Sequence, residues 1–436
     1  MSVEPTESSR QVDDSLFGAL AEALYSKSLD CVHCGLCLTS CPTYLVTGRE
    51  TSSPRGRIYL MRGFVEGRID DEETLAEEVF LCLGCRACET ACPSGVEYGE
   101  MLELTRSVIR GRESGFRISS AIEGFMLRAI VPHPRRLSRL VSVLEWAQRF
   151  GLDRFAMNFM PQRVKELYSL APQIPPSNER RRLPAFTPAV GTRRGSVALF
   201  EGCVMPEFFG RVNDAARLVL SRAGYDVHVP VDQGCCGALQ AHSGELDFAH
   251  GLARKNVDVF GANNFDAIVV TSAGCSAALR GLENWLGEAG RPLAMATRDV
   301  LEFLDAVGPK IQFSSLAKRV CYDDPCHLIH AQGIAAAPRR LFAQIPDLEL
   351  IAHRDPESCC GAAGIYNLTQ PEMSKKVLAP KLDALIDAAP EIVATANPGC
   401  AMQLTAGLKS RGVDLEVVHP IELLEQASRR NVESLE

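Results

Sequence analysis

The residues CVHCGLCLTSCP at positions 31–42 and CLGCRACETACP at positions 82–93 share one pattern, C-x2-C-x2-C-x3-C-P. Thiolates at this spacing bind three corners of an iron–sulfur cube, while the fourth cysteine ligates the other cluster of a two-cluster protein. The two stretches therefore predict two [4Fe–4S] clusters that exchange their fourth ligands. The predicted ligands are Cys31, Cys34, Cys37 and Cys92 for one cluster, and Cys82, Cys85, Cys88 and Cys41 for the other.

Four other residues of the motifs are candidate cofactor-binding residues. Gly35 and Gly84 let the backbone turn closely and offer N–H groups to the sulfurs, and Pro42 and Pro93 follow the fourth cysteine of each motif. Structural zinc is the alternative, but it prefers two C-x2-C pairs, so two sets that each end in Cys-Pro fit zinc poorly. We predict no catalytic residue in this chain.

The segment between the two motifs has a helical pattern. Residues 52–64, SSPRGRIYLMRGF, place a serine cap before a proline in the first turn. Residues 70–85 begin with acids and continue with Leu75, Val79 and Phe80 on one helical face. This pattern favours a helical two-cluster domain over a small β-rich ferredoxin.

The composition is that of a large protein of the cytosol. The chain has 436 residues, 46% of them hydrophobic and 23% charged, which suggests about two to four domains. Its first residues lack a secretory signal pattern, and no stretch approaches the roughly 20 apolar residues of a membrane-spanning helix. Seventeen cysteines in a reducing compartment indicate metal or redox chemistry. We expect a cytoplasmic location, with peripheral attachment to the inner face of the cell membrane as an open alternative.

Positive charge is concentrated in the middle of the chain. Residues 1–105 hold 8 Lys/Arg and 18 Asp/Glu, residues 106–194 hold 17 and 6, and residues 195–436 hold 21 and 30. The middle region predicts two amphipathic helices within 116–131 and 135–155, followed by a Pro- and Arg-rich linker. Such helices can contact an anionic membrane or an acidic partner, or pack with a solvated arginine face. We expect no nucleic acid partner, because the rest of the chain is acidic and no nucleic-acid motif occurs.

The C-terminal half is a duplication. SVALFEGC at 196–203 aligns with RVCYDDPC at 319–326, and CCG at 235–237 aligns with CCG at 359–361. Each copy alternates β-branched runs with helical segments, which predicts an α/β unit with cysteines at the carboxyl ends of parallel strands. Four thiolates per copy can hold one further [4Fe–4S] cluster or a zinc ion, and we favour a cluster in the second copy. The candidate ligands are Cys203, Cys235, Cys236 and Cys275 in the first copy, and Cys326, Cys359, Cys360 and Cys400 in the second.

Three phrases, TGRETSSPRGRIYLM, YDDPCHLIHAQG and CCGAAGIYNL, accompany the ferredoxin and CCG motifs. Together they resemble the family of glycolate oxidase iron–sulfur subunits, which is related to those of heterodisulfide reductase, lactate utilisation and anaerobic glycerol-3-phosphate dehydrogenase. The resemblance covers nearly the whole chain from about residue 25. It implies an electron-transfer subunit that accepts electrons from FAD-containing partners oxidising glycolate and passes them to a quinone-type acceptor. We expect no flavin in this chain, because no nucleotide-binding motif occurs.

The chain departs from the heterodisulfide reductase pattern. That family carries a fifth cysteine in each copy, but SAALRG follows Cys275 and AMQLTA follows Cys400. Cys321 could substitute in the second copy, although it lies in a predicted strand. A chain that itself reduces disulfides is therefore the weaker alternative, and a partner that oxidises lactate or glycerol-3-phosphate is another. His327 and His330 are candidates for supporting the metal ligands or contacting a quinone, with local hydrogen bonding as the alternative.

These observations predict an α+β multidomain protein with an α-helical dicluster ferredoxin domain, a helical basic middle region and a duplicated α/β CCG domain. The acidic, serine-rich first residues suggest a disordered tail. The predicted limits are 1–20 for the tail, 21–110 for the ferredoxin domain, 111–194 for the middle region and linker, 195–312 for the first CCG copy and 313–432 for the second.

Overall fold

The chain divides into two compact units. The structure is a computed structural model, and it describes residues 14–112, 118–160, 165, 168, 174–180 and 182–429. The first unit comprises residues 1–118 and 241–246, and the second comprises residues 119–240 and 247–436. Within the described ranges, no helix is both long enough and apolar enough to cross a membrane.

The first unit is helical, which confirms the predicted class of its fold. Its helices are α1 (Asp14–Ser28), α2 (Pro42–Thr47), α3 (Pro54–Val65), α4 (Glu72–Leu81), α5 (Ala87–Thr90) and α6 (Tyr98–Arg112), with a 3-10 turn at Glu50–Ser52. Ser53 caps α3 by accepting a hydrogen bond from the Gly56 N–H at 3.0 Å. Asp71 caps α4 in the same way through the Thr74 N–H at 2.9 Å. Leu75 of α4 lies fully buried in the core of this unit.

Helix α1 occupies part of the segment that the sequence suggested to be a disordered tail. It begins at Asp14, and its Leu24 is buried in a core that includes Ile58 and Met61. The prediction of disorder over 1–20 is therefore wrong for residues 14–20. The reason is that LFGALAEAL, from Leu16 onward, has helical spacing even though the residues before it are acidic and serine-rich. Residues 1–13 lie outside the described part of the chain.

The basic middle region is helical. Its elements are α7 (Ile118–Phe125), continued by a π-helical turn at Met126–Ile130, then α8 (Pro134–Arg149) and α9 (Leu152–Asn158). The helix predicted within 135–155 is divided, because Gly151 adopts a φ of +68°, the left-handed conformation that glycine tolerates between α8 and α9. Leu137 and Val141 of α8 are buried, so this helix is anchored on one face.

The first CCG repeat is built on a five-stranded sheet. Its strands are β1 (Phe186–Thr187), β2 (Gly195–Phe200), β3 (Tyr225–His228), β4 (Ala267–Val270) and β5 (Thr297–Asp299). The order is β1-β3-β2-β4-β5, with β1 antiparallel and the other neighbours parallel, as expected for an α/β unit. The helices are α10 (Met205–Phe208), α11 (Gly210–Arg222), α12 (Ala238–His242), α13 (Leu246–Gly261), α14 (Ala273–Arg280), α15 (Leu282–Leu286), α16 (Arg291–Ala296) and α17 (Val300–Val307).

The second repeat has a four-stranded parallel sheet of corresponding order. Its strands are β6 (Lys318–Asp323), β7 (Leu348–Ile351), β8 (Ile392–Thr395) and β9 (Glu416–Val418), arranged β7-β6-β8-β9. The helices are α18 (Cys326–Gln332), α19 (Ala336–Phe342), α20 (Tyr366–Thr369), α21 (Pro371–Ala388), α22 (Pro398–Ser410) and α23 (Pro420–Arg429). In both repeats the cysteines follow strands, so they gather at the carboxyl edge of each sheet.

The two repeats exchange their last helices. Helix α23 of the second repeat packs on α11 of the first, where Arg222 forms an ion pair with Glu425 at 3.0 Å. Helix α17 of the first repeat packs on α19 of the second, where Arg340 pairs with Asp305. One hydrophobic core contains buried residues of both sheets. The repeats therefore fold as one unit.

Candidate metal centres

The first candidate centre is a cavity in the first unit. Gly35 and Pro93 form part of its wall, and Gly35 has a φ of +83°, which permits the close turn between the cysteines. The structure brings together four cysteines that the sequence grouped from two separate motifs. The cysteines of this wall are Cys31, Cys34, Cys37 and Cys92. Cys88 also lines this cavity, and it lines the neighbouring cavity as well.

The second candidate centre is another cavity of the same unit. Gly84 has a φ of +63° and donates its N–H to the Cys82 Sγ at 3.4 Å. Pro42 begins α2 directly after Cys41, the cysteine of the first motif that lines this cavity. Pro54 and Tyr98 line both cavities, which therefore share a wall. The cysteines of this wall are Cys41, Cys82, Cys85 and Cys88.

Arg57 places a buried positive charge at the second cavity. Its side chain is fully buried, and it donates hydrogen bonds from Nε to the Glu78 carbonyl at 2.6 Å and from Nη2 to Thr43 Oγ1 at 3.1 Å. Its Nη1 is buried without a hydrogen-bond partner in the described residues. A buried donor without an acceptor costs about 1–3 kcal/mol, and sulfur of an anionic cluster would supply that acceptor. The thiolate donors and this cation fit an iron–sulfur cluster.

In the first repeat the four thiols form two close pairs. Cys235 Sγ lies 3.3 Å from Cys203 Sγ, and Cys236 Sγ lies 3.3 Å from Cys275 Sγ. Gly237 turns the chain with a φ of +87° and donates its N–H to Cys235 Sγ at 3.5 Å. The structure thus brings together the four cysteines predicted for this copy.

The second repeat shares one of these close pairs and the turn at the glycine. Cys326 begins α18, and Cys360 Sγ lies 3.2 Å from Cys400 Sγ. Gly361, with a φ of +80°, donates its N–H to Cys359 Sγ at 3.4 Å. Among the described residues, no three Cys, His, Asp or Glu side chains surround one point as the ligands of a single ion would.

A buried charged pair lies beside the cysteines of the second repeat. Lys381 Nζ donates hydrogen bonds to a carboxylate oxygen of Asp323 and to the Pro356 carbonyl, the latter at 3.0 Å. Thr395 Oγ1 donates to the other carboxylate oxygen at 3.2 Å. Both charged side chains are almost completely buried. Burial raises the pKa of Asp323 to about 6, although the charge of Lys381 acts in the opposite direction.

The surroundings of Cys360 favour its thiolate form. Its pKa lies well below the ordinary value, mainly because of hydrogen bonds with the thiols of Cys359 and Cys400, and the charge of Lys381 adds to the effect. At the corresponding position of the first repeat, the hydrogen bond with Cys235 raises the pKa of Cys236 above its ordinary value. In the second repeat the hydrogen bond with Cys360 likewise raises the pKa of Cys400 well above its ordinary value, so one thiol of that pair is favoured as the thiolate, the form that binds metal.

The first repeat has no charged pair at the corresponding positions. Ala249 packs on Gly237 of the first CCG, and Ser374 packs on Gly361 of the second. Asn256 and Lys381 each lie seven residues after that packing residue, so they correspond to each other. Phe200 corresponds to Asp323, since each ends a strand three residues before the first cysteine. A neutral amide and a phenyl ring therefore replace the ion pair, and the two repeats offer different electrostatic environments.

The cysteine-bearing loops of the two repeats contact each other. Asn397 Oδ1 accepts a hydrogen bond from the Gly274 N–H at 3.2 Å, and the Ala273 N–H donates to the Ala396 carbonyl at 3.1 Å. Gly274 and Asn397 each lie within three residues of the last cysteine of their repeat. The predicted ligands of the two repeats thus approach a common interface inside the second unit.

The two histidines and the extra cysteine occupy different surroundings. His330 Nε2 lies 3.3 Å from the Glu357 carbonyl, which is the local hydrogen bond that the alternative interpretation expects. The His327 ring lies close to Gly274, beside the interface of the repeats. Cys321 is fully buried on β6, in a hydrophobic cluster that also contains Cys360.

Comparison with known proteins agrees with this architecture. Residues 27–96 match the 4Fe-4S dicluster domain, and residues 197–280 and 320–405 each match the cysteine-rich domain. Over 416 residues the chain is 35% identical to the probable glycolate oxidase iron–sulfur subunit of Bacillus subtilis, covering 92% of this chain and 94% of that protein. The chain belongs to the glycolate oxidase iron–sulfur subunit family. As a member of this family it is an iron–sulfur electron-transfer subunit of an oxidoreductase.

Other relatives extend the comparison. The glycolate oxidase iron–sulfur subunit of Escherichia coli is 31% identical over 428 residues, which cover 93% of this chain and 96% of that protein. The lactate utilization protein A of Oceanobacillus iheyensis is 27% identical over 236 residues, which cover 52% of this chain and 96% of that protein. The predicted fold class, the duplication and the family resemblance are confirmed.

Three residues at the candidate sites escaped the sequence analysis. Tyr98 lies between the two cavities and donates its hydroxyl to Cys82 Sγ at 3.6 Å. Arg57 on α3 and Lys381 on α21 are buried charges that the sequence analysis did not single out. The only available signal was their position: Arg57 stands beside the apolar Ile58 of α3, and Lys381 stands beside Leu382 of α21.

Proposed function

We propose that this chain carries electrons, one at a time, from FAD-containing partner subunits that oxidise glycolate to glyoxylate toward a quinone-type acceptor. The observation that carries the proposal is the pair of adjoining cavities, each lined by cysteines from both ferredoxin motifs. The substrate is proposed from the names of two relatives that are 35% and 31% identical to the chain and match more than nine-tenths of it. The flavin partner is proposed from the family resemblance. An oxidation that needs a flavin takes place in the partner, because this chain supplies no motif to bind one.

We assign two [4Fe–4S] clusters to the first unit, where they supply reversible one-electron reduction when bound. The residues of the chain hold the clusters and set their surroundings. Gly84 N–H and the Tyr98 hydroxyl donate to Cys82 Sγ, and Arg57 brings a positive charge to the same cavity. The proposed ligands are Cys31, Cys34, Cys37 and Cys92 for one cluster, and Cys82, Cys85, Cys88 and Cys41 for the other.

We assign a further [4Fe–4S] cluster to the second repeat, with zinc as the competing occupant. Its ligands would be Cys326, Cys359, Cys360 and Cys400. Two features support this choice: the thiolate-favouring surroundings of Cys360 and the buried charge of Lys381, which the first repeat lacks. A net negative cluster is better stabilised beside a buried cation than beside a neutral amide. The domain limits 21–110, 111–194, 195–312 and 313–432 are likewise our proposal.

Anaerobic reduction of the assembled complex by substrate tests the proposal. Glycolate added to the complex with its flavin subunit should bleach the visible absorption of the clusters, whereas glycolate added to this chain alone should not. Faster bleaching by lactate or glycerol-3-phosphate would assign a different partner substrate. Bleaching of the isolated chain by glycolate, or reduction of a disulfide by the isolated chain, would contradict the electron-transfer role.

A further inference from the structure

Helices α8 and α9 carry apolar and aromatic side chains that are exposed in the described part of the chain. We define the aromatic face as Val143, Trp146, Phe150, Leu152, Phe155 and Phe159. Four of its side chains are largely exposed: Trp146 by 57%, Phe150 by 62%, Phe155 by 65% and Phe159 by 74%. Large exposed apolar patches of this kind mark surfaces that bind a protein or a membrane.

The spacing of these residues is that of a helix face made to be buried. Leu152, Phe155, Ala156, Phe159 and Met160 recur at i, i+3, i+4, i+7 and i+8, and all five are exposed. In a globular protein such a stripe normally faces the core. The rings also contact each other, since the Phe155 and Phe159 centroids lie 5.3 Å apart. The face is therefore exposed in the described part of the chain and available to an external surface.

Positive charge accompanies the aromatic residues on α8. Arg135, Arg139, Val143, Trp146 and Phe150 follow each other at helical spacing along one exposed face, and Arg149 is exposed beside them. Exposed arginines beside aromatic side chains are typical of helices that lie in the headgroup region of a bilayer, where the rings enter the acyl boundary and the arginines meet phosphate.

The acidic residues of these two helices do not oppose an anionic surface. Glu145 is half-buried in an ion pair with Arg180, and Asp153 accepts a hydrogen bond from the Tyr168 hydroxyl. Arg135 and Arg139 lie on the exposed face of α8 that also carries Trp146 and Phe150, so positive charge and apolar side chains share one face. These observations favour an anionic lipid surface.

We propose that the aromatic face and the neighbouring arginines bind the chain to the surface of an anionic lipid bilayer. The biological reason rests on the proposed function, because a quinone-type acceptor is soluble in the bilayer and docking would bring the electron carrier to it. The binding itself depends on neither glycolate nor the flavin subunit, so a wrong partner substrate leaves this proposal intact.

Sedimentation of the full-length, cluster-loaded chain with lipid vesicles tests the proposal. The probes are vesicles of phosphatidylcholine alone and vesicles that also contain phosphatidylglycerol. The chain should bind the anionic vesicles and bind the neutral vesicles more weakly. The double variant Phe155→Ser/Phe159→Ser should lower the partition coefficient by about tenfold per ring, which corresponds to the burial of one aromatic side chain. The double variant Arg135→Gln/Arg139→Gln should lower binding to anionic vesicles only, by about fivefold per arginine.

Matched controls come from the same unit. Val231 and Met295 are 67% and 66% exposed outside the aromatic face, so Val231→Ser/Met295→Ser should leave vesicle binding unchanged. Unchanged EPR spectra of the reduced variants would show that each still folds and holds its clusters. Absence of binding to either vesicle, or an equal loss in the control variant, would overturn the proposal. Wild-type vesicle binding by Phe155→Ser/Phe159→Ser together with lost association with the flavin subunit would overturn it in favour of a protein partner.

Discussion

Lys381 donates a hydrogen bond to Asp323, and both side chains are buried next to the cysteines of the second repeat. A buried charge left without its partner costs about 3–5 kcal/mol, whereas replacing both partners by neutral groups is often tolerated. Lys381→Met should therefore destabilise the protein by about this amount, and Lys381→Met/Asp323→Asn should recover a large part of the loss. Denaturant unfolding of the three proteins measures both effects. If Lys381→Met and Lys381→Met/Asp323→Asn had the same free energy of unfolding, Lys381 and Asp323 would not be energetically coupled.

Arg57 should set the reduction potential of one cluster more than that of the other. Its guanidinium lines only the cavity with Cys41 and Cys82, and its charge stabilises the more negative reduced state. Arg57→Met should lower the midpoint potential of that cluster by at least about 60 mV, a tenfold change in a one-electron equilibrium. EPR-monitored redox titration measures the two clusters separately.

Arg49 provides the matched control for Arg57. Arg57 Nη2 lies 3.8 Å from the Glu78 carboxylate, and Arg49 pairs with the same carboxylate at 2.6 Å. Arg49 is largely exposed and lines neither cavity. Arg49→Gln should leave both potentials unchanged. An equal shift in this variant would mean that Arg57 acts only through the ion pair with Glu78 and not on the cluster.

Because each motif lends its fourth cysteine to the other cluster, replacing that cysteine should affect the cluster of the other motif. Cys41 lies in the cavity of the second motif and Cys92 in the cavity of the first. Cys41→Ser should therefore weaken or remove the cluster of the second motif, and Cys92→Ser should affect the cluster of the first. Iron content and EPR of each variant, with Cys321→Ser as the control, identify the cluster that changes. Loss of the cluster belonging to the mutated motif itself would contradict the exchange.

Asp299 should make the stability of the second unit depend on pH. Burial raises the pKa of its carboxyl from 3.8 to about 7, and its Oδ2 is buried without a hydrogen-bond partner in the described residues. The folded state thus binds the proton more tightly than the unfolded state, so stability falls as pH rises from about 4 to about 7. Asp299→Asn keeps the cap on the Leu301 N–H and should raise the free energy of unfolding near pH 7 by a few kcal/mol.

The exposed helix cap Asp71 should change stability with pH in the opposite direction to Asp299. The hydrogen bonds from Thr74 lower the pKa of Asp71, so its contribution is present above its ordinary pKa and is lost as pH falls. Asp71→Asn should therefore not stabilise the protein at neutral pH. Denaturant unfolding across this pH range distinguishes the two variants, and a pH profile of Asp299→Asn identical to wild type would contradict the account.

The grouping of the cysteines could be predicted from the sequence, because it follows from their spacing along the chain. Two identical motifs indicated the four cysteines of each cavity, and the offset between the repeats indicated the cysteines at each sheet edge. Ser53 and Asp71 marked helix starts because their caps are local. The buried charges of Arg57 and Lys381 could not be predicted, because a charged residue in a helical pattern is ordinarily solvated and only tertiary packing buries it. The exchange of α17 and α23 is likewise a property of two repeats folding together.

The most direct test of the electron-transfer account is the iron, acid-labile sulfide and zinc content of the anaerobically purified chain, with EPR after dithionite reduction. We predict about twelve irons and twelve sulfides per chain, which correspond to three [4Fe–4S] clusters, and EPR signals that appear on reduction. Zinc in place of iron, with no signal after reduction, would contradict the central claim that this chain carries electrons.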